Sequence, residues 1–159
     1  MVSTDLVWLE CEFEEHGSLE RPHVHDNFVY ALSLHIEKHV LVLHTQYRDQ
    51  PNENDLTDVR FPGWIAHHFD DVMESSILLD IERVPLEWVV ERWQDLLLSR
   101  QSYSWPLSFT NMPDLVAQLT MRQLQGYHVM GTCGLDGFVL AKAAEYRHRN
   151  QPVDPTELD

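Results

Sequence analysis

The first half of the chain alternates between apolar and polar positions. Val7, Leu9, Cys11 and Phe13 interleave with Trp8, Glu10, Glu12 and Glu14, a period of two that gives a strand one apolar face and one mainly carboxylate face. This predicts a strand over residues 6–13. Residues 28–36 carry Phe28, Tyr30, Leu32, Leu34 and Ile36 in the same phase, and residues 40–47 carry Leu41, Leu43, Thr45 and Tyr47. Glu37 and Lys38 between them predict a tight hairpin. Residues 57–69 read as extended but are interrupted by Pro62-Gly63, the signature of a bulge or corner. In residues 76–82, Ile77, Leu79 and Ile81 share a face opposite Asp80 and Glu82.

Near Pro85 the period changes from two to 3.6. Leu86, Val89, Val90, Trp93, Leu96 and Leu97 recur at spacings of three and four, which predicts a helix over 85–99 with one apolar stripe. A second helix is expected over 113–124, with Gly126 as its left-handed terminator. Residues 127–133 and 137–146 then read as a hairpin closed by Gly134-Leu135-Asp136-Gly137. A short helix over 141–148 is the alternative for its second arm. The expected fold is α+β, a mainly antiparallel sheet of about six strands with two helices packed on one face. Residues 1–149 are expected to form a single domain and 150–159 a flexible C-terminal tail, because two prolines and few apolar residues occur there.

Composition narrows the function classes. The chain has 159 residues, 43% of them hydrophobic, enough to bury a core without disulfides or a structural metal. The N-terminus has neither a basic stretch nor a long apolar run, and no apolar run could span a bilayer, so the expectation is a cytoplasmic protein. Cys11 and Cys133 are too far apart for a Cys-x-x-Cys pair and are expected to be reduced. The formal net charge is −15. Such a chain repels nucleic-acid phosphates and anionic membrane, so neither is an expected partner. It attracts cationic proteins and speeds encounter with them, although acidity also serves solubility.

Candidate chemistry is sparse. There are 10 histidines, and His23-Val24-His25-Asp26 is the tightest cluster. On a strand His23 and His25 would point the same way, as two ligands of one ion must, but no other cluster supplies the remaining ligands. No metal or other cofactor is expected, and His23 and His25 stand as the weak metal candidates. No Gly-x-Ser-x-Gly, His-Glu-x-x-His or phosphate-binding glycine loop occurs, and no catalytic residue is assigned. Cys133 and His128 would face opposite sides of a strand, so they do not make a nucleophile and base. The carboxylates at Glu10, Glu12 and Glu14, and those at Asp70 and Asp71, are read as exposed acidic faces. Trp8 shares the glutamate face, and Trp88 falls off the helical stripe unless the second helix covers it. Trp8, Glu10, Glu12, Glu14, Asp70, Asp71 and Trp88 are therefore the candidate partner-binding residues.

Two stretches carry a resemblance. Val59-Arg60-Phe61-Pro62-Gly63-Trp64 running to His68-Phe69 and Ser76-Ile77-Leu78-Leu79-Asp80-Ile81-Glu82, together with Cys133-Gly134-Leu135-Asp136-Gly137-Phe138-Val139-Leu140-Ala141, resemble small uncharacterised bacterial proteins of the toxin-immunity type. The resemblance spans about a quarter of the chain and carries over no functional residue. It implies a binding protein. The leading expectation is a non-enzymatic acidic binding module, an immunity or inhibitor protein for a cationic protein partner. The alternatives are a metal-dependent enzyme using His23 and His25, and a homodimeric structural or regulatory domain joined through sheet edges.

Overall fold

The computed structural model describes residues 7–49 and 55–155. Eleven strands occur in it: β1 Leu9–Glu10, β2 Glu12–Phe13, β3 Leu19–Arg21, β4 Phe28–His35, β5 Val40–Gln46, β6 Leu56–Pro62, β7 Ala66–Asp70, β8 Ile77–Val84, β9 Gln125–Cys133, β10 Asp136–Ala141 and β11 Glu145–Arg149. Three α-helices lie between β8 and β9: α1 Leu86–Arg92, α2 Gln94–Ser99 and α3 Met112–Met121. Nine strands form one antiparallel sheet in the order β1-β11-β6-β5-β4-β8-β9-β10-β7, and β2-β3 form a separate ribbon. The α+β class and antiparallel pairing match the expectation; the strand and helix numbers do not.

The extra strands arise because the chain bends. β6 and β7 are two halves of one run that turns at Pro62-Gly63, and β10 and β11 are halves of another that turns at residues 142–144. The first run pairs with the second along its whole length, from Leu56↔Arg149 to Asp70↔Asp136. Gly63 makes the corner at φ +67, where a Cβ would lie 2.4 Å from Lys142 Cγ. The pairing curls the sheet back on itself, and Phe28↔Ile77 joins β4 to β8 on the other side. The alternative helix over 141–148 is overturned by β11.

One face of the curled sheet encloses the main core, with Leu41, Leu43, Val59, Phe61, Ile81 and Val129 all fully buried. These residues oppose one another across the ladders, as Leu41↔Phe61, Leu43↔Val59 and Ile81↔Val129 do. A second core lies outside β9 and β10, where Phe138 and Leu140 meet Val89, Leu97, Leu115 and Leu119 of the helices. β10 is thus buried on both faces, with Val139 and Ala141 in one core and Phe138 and Leu140 in the other.

The single helix expected over 85–99 is two, α1 and α2, because Trp93 leaves helical geometry (φ −109, ψ 27) with its ring packed 4.8 Å from Phe138. α3 ends before Gln123, which takes the left-handed turn at φ +58. Gly126 is therefore no terminator. It lies in β9, where a Cβ would be 2.9 Å from Val89.

Two bulges and one break alter three expected strand faces. A shift between Val29 and Ala31 moves the inward phase of β4 from Val29 to Leu32 and Leu34. Beyond Phe28 no ladder holds β4 to β8, so Leu32, Leu34 and Ile36 lie at an open mouth, 38%, 44% and 67% exposed. Shifts at Leu78 bury Leu78 and turn Leu79 outward. The strand expected over 6–13 breaks at Cys11 into β1, at the edge of the main sheet, and β2, in the ribbon; Leu6 is outside the described residues. Among the described residues Val7 and Leu9 at this edge are exposed.

Candidate functional site

The residues singled out for partner binding fall in separate places. Glu10, Glu12 and Glu14 are exposed, and Glu15 and Glu20 join them on or beside the β2–β3 ribbon. The ribbon is clamped to β8 where the Arg83 N–H donates to Gly17 O (2.9 Å) and the Ser18 hydroxyl donates to Asp80. Gly17 adopts φ +106, and a Cβ there would lie 2.4 Å from Arg83 O, so the ribbon reaches this position only with glycine. Asp70 and Asp71 are exposed elsewhere: Asp70 opposes Asp136 at the start of the β10–β11 run, whereas Glu10 opposes Glu145 beside its corner.

The two tryptophans are not free aromatic anchors. Trp88 packs at 5.8 Å on Trp93 and 5.0 Å on His128, in the cluster between helices and sheet. Trp8 does not share the solvent side of the glutamates. It lies half buried between the guanidinium groups of Arg60 and Arg147, 4.2 and 4.3 Å from its ring.

His23 and His25 line an open pocket of about 720 Å³ with Asp26, Tyr146 and His148. His25 Nδ1 lies 2.9 Å from Asp26. Among the described residues no group of three His, Cys, Asp or Glu side chains is placed to hold a metal ion, so the pair lacks the further ligands that zinc needs. Both cysteines are free. Cys11 is buried, and burial, with the carboxylates of Glu145 and Glu10, pushes its thiol up to about 12; Cys133 is exposed.

The tightest polar constellation is one that the sequence reading passed over. It lies on the outer face of the sheet, across the four adjacent strands β4, β5, β6 and β11. Ser33 Oγ lies 2.7 Å from His44 Nε2, and His44 Nδ1 lies 2.7 Å from Asp58 Oδ1. Arg147 Nε (3.0 Å) and an Arg149 guanidinium nitrogen (3.3 Å) donate to the other oxygen, Asp58 Oδ2. The sheet register puts these residues together: His44 opposes Asp58, Asp58 opposes Arg147, and Ser33 reaches His44 on the diagonal from Val42. The Asp58 side chain is 0% exposed, His44 is buried and Ser33 is half buried.

Burial pushes the Asp58 carboxyl up. The hydrogen bonds from His44 and Arg147 and the charge of Arg149 outweigh it and hold the group below its ordinary value. Asp58 is therefore an ionised acceptor, and His44 must donate to it through Nδ1–H. In the neutral imidazole Nε2 is then the acceptor, and the Ser33 hydroxyl donates to it. Ser33 opens onto a groove of about 570 Å³, also lined by Val40, Val42, Lys38 and Val153. The Val153 N–H donates to the Tyr30 hydroxyl (3.2 Å), which fixes residue 153 beside it.

The sequence held a partial signal. His44 follows the apolar run Val40-Leu41-Val42-Leu43, and Asp58 is a carboxylate inside a strand, where aspartate is disfavoured. Their pairing becomes visible only with the register. No family model, curated protein or solved structure matches the chain.

No helix among the described residues is long and apolar enough to cross a membrane.

Proposed function

We propose that this chain is an acidic binding module that engages a cationic protein through the β2–β3 ribbon, in the manner of an immunity or inhibitor protein. The observation that carries the reading is the clamped ribbon. It presents Glu12, Glu14, Glu15 and Glu20 to solvent, with Glu10 beside it, on a chain of net charge −15. Few local cations answer these charges. Arg21 lies 3.9 Å from Glu12, and His16 lies 3.2 Å from Glu14. A preformed surface of one sign raises the association rate and loses little entropy on binding.

The test separates the ribbon from general acidity. One variant carries Gln at Glu12, Glu14, Glu15 and Glu20. A control of equal charge carries amides at Asp70, Asp71, Glu74 and Glu91. Association with an oligolysine peptide is measured by stopped flow at low and high salt. The ribbon variant should associate about tenfold more slowly at low salt and converge with the parent near 1 M, where the Debye length is about 3 Å. Equal slowing in both variants would remove the ribbon from the proposal.

The homodimer reading has its own observation in the open edge of β4, where Leu32, Leu34 and Ile36 are exposed. Sedimentation of the parent and of Ile36→Lys tests it. A dimer that Ile36→Lys dissociates would favour it, and a monomer at high concentration would dismiss it.

A further inference from the structure

We propose that Ser33, His44 and Asp58 form a hydrolytic site for small carboxylic esters, separate from the acidic ribbon and independent of its role. Three observations converge on it. The first is connectivity. A hydroxyl, an imidazole and a carboxylate are joined in series by two contacts of 2.7 Å, with the hydroxyl on one ring nitrogen and the carboxylate on the other. That is the arrangement in which a base can take a hydroxyl proton while a third group orients the ring.

The second observation is burial. Asp58 has no exposed surface and His44 very little, while Ser33 is half buried at the groove, so the hydroxyl is the most open of the three. Folding gives little reason for such a network. A buried charged cluster is often no more stabilising than apolar side chains of similar volume.

The third observation is the groove itself. Val40, Val42 and Val153 give it apolar walls suited to a short acyl chain. Lys38 lines it too, and a cation in the groove can stabilise the oxyanion that forms during attack. β4 adds backbone donors. Past Phe28 it has no ladder to β8, and alternate N–H groups of a strand point away from its one partner, here β5.

The chemistry balances without a cofactor. Ser33 Oγ adds to the ester carbonyl carbon as its proton passes to His44 Nε2. The C–O bond to the alcohol then breaks, the alcohol leaves with that proton, and Ser33 holds the acyl group. Water, deprotonated by His44, adds to the acyl carbon; the bond to Ser33 Oγ breaks and the hydroxyl regains its proton. Asp58 touches neither substrate nor water. It is a positioning residue that fixes the His44 tautomer. Because Arg147 and Arg149 share its charge, it stabilises an imidazolium less than a lone carboxylate would, and turnover should be slow.

The experiment uses the full chain and two probes, a fluorophosphonate that labels activated serines and 4-nitrophenyl butyrate. The parent should be labelled at Ser33, located by mass spectrometry of the peptide, and should hydrolyse the ester with an acid limb in its pH profile, the rate falling where the general base is protonated. Ser33→Ala should abolish labelling there. His44→Gln should lower labelling and turnover about 100-fold and flatten the limb. Glutamine can still donate to Asp58, so this variant keeps the carboxylate paired, and circular dichroism with thermal melting verifies the fold. An unlabelled Ser33 in the folded parent would overturn the proposal. So would labelling or turnover that His44→Gln leaves unchanged.

Discussion

Among the described residues two buried histidines, His44 and His128, pair with an aspartate, and the surroundings of the two pairs differ. His128 packs against the rings of Trp88 (5.0 Å) and Trp93 (5.6 Å), and its Nε2 lies 3.3 Å from Asp136. Asp136 is at a strand end, its side chain 38% exposed, and it also accepts from the Gly131 N–H. His44 lies 2.7 Å from a carboxylate with no exposed surface, with two arginines behind it and a serine hydroxyl in front. At Asp136 water can replace a lost partner. At Asp58 it cannot, so His44, Arg147 and Arg149 depend on that carboxylate. The same pair of residue types is thus a packing element in one place and part of a charged relay in the other.

The largest expected effect comes from Asp58→Ala. It leaves His44, Arg147 and Arg149 without their shared acceptor, and breaking such a buried cluster costs about 3–5 kcal/mol. For a chain of this size thermal melting should fall by roughly 10–15 °C. Asp136→Ala should cost about 1 kcal/mol, since its partners can turn to water. Equal losses in the two variants would erase the contrast.

Acid should reveal the same difference. The Asp58 carboxyl titrates below its ordinary value when folded, so its contribution to stability is complete above the unfolded value of about 3.9. It is lost as pH falls through the lower folded value, because the unfolded chain then binds a proton more readily than the native one. Urea midpoints measured from pH 6 to pH 2.5 should drop in the parent below about pH 4. They should drop less in Asp58→Asn. An acid limb identical in both would assign the loss to other carboxylates.

The smallest effect is expected at Ser33→Ala. Ser33 is half buried beside the groove, and its loss should shift stability by less than about 0.5 kcal/mol in denaturant melts. A loss as large as that at Asp58 would make Ser33 a structural member of the cluster rather than its reactive end.

Much of the sheet was legible because alternation is a local signal. Leu41, Leu43 and Thr45 face inward in β5, as their spacing requires. Bulges were not legible. One extra residue near Tyr30 reverses the phase of β4, and shifts at Leu78 exchange Leu78 with Leu79; neither leaves a mark in composition. The polar cluster was hidden for a different reason. Ser33, His44, Asp58 and Arg147 come from four strands, and only the register aligns them. The acidic stretch was visible because its carboxylates are neighbours in sequence. Trp8 was misplaced because two arginines distant in sequence fold beneath its ring.

The long ladder between the bent runs has a consequence for synthesis. Partners within it, such as Thr57 and His148, stand 91 positions apart. Joining segments so distant requires closing a large loop, which slows folding. As the chain emerges residue by residue, β6 and β7 are complete long before β10 and β11 exist. Until then their edges are unpaired and Phe61 has no finished core to enter. The nascent protein should therefore be most prone to association with other chains, and most in need of a chaperone, in the interval between Asp70 and Glu145.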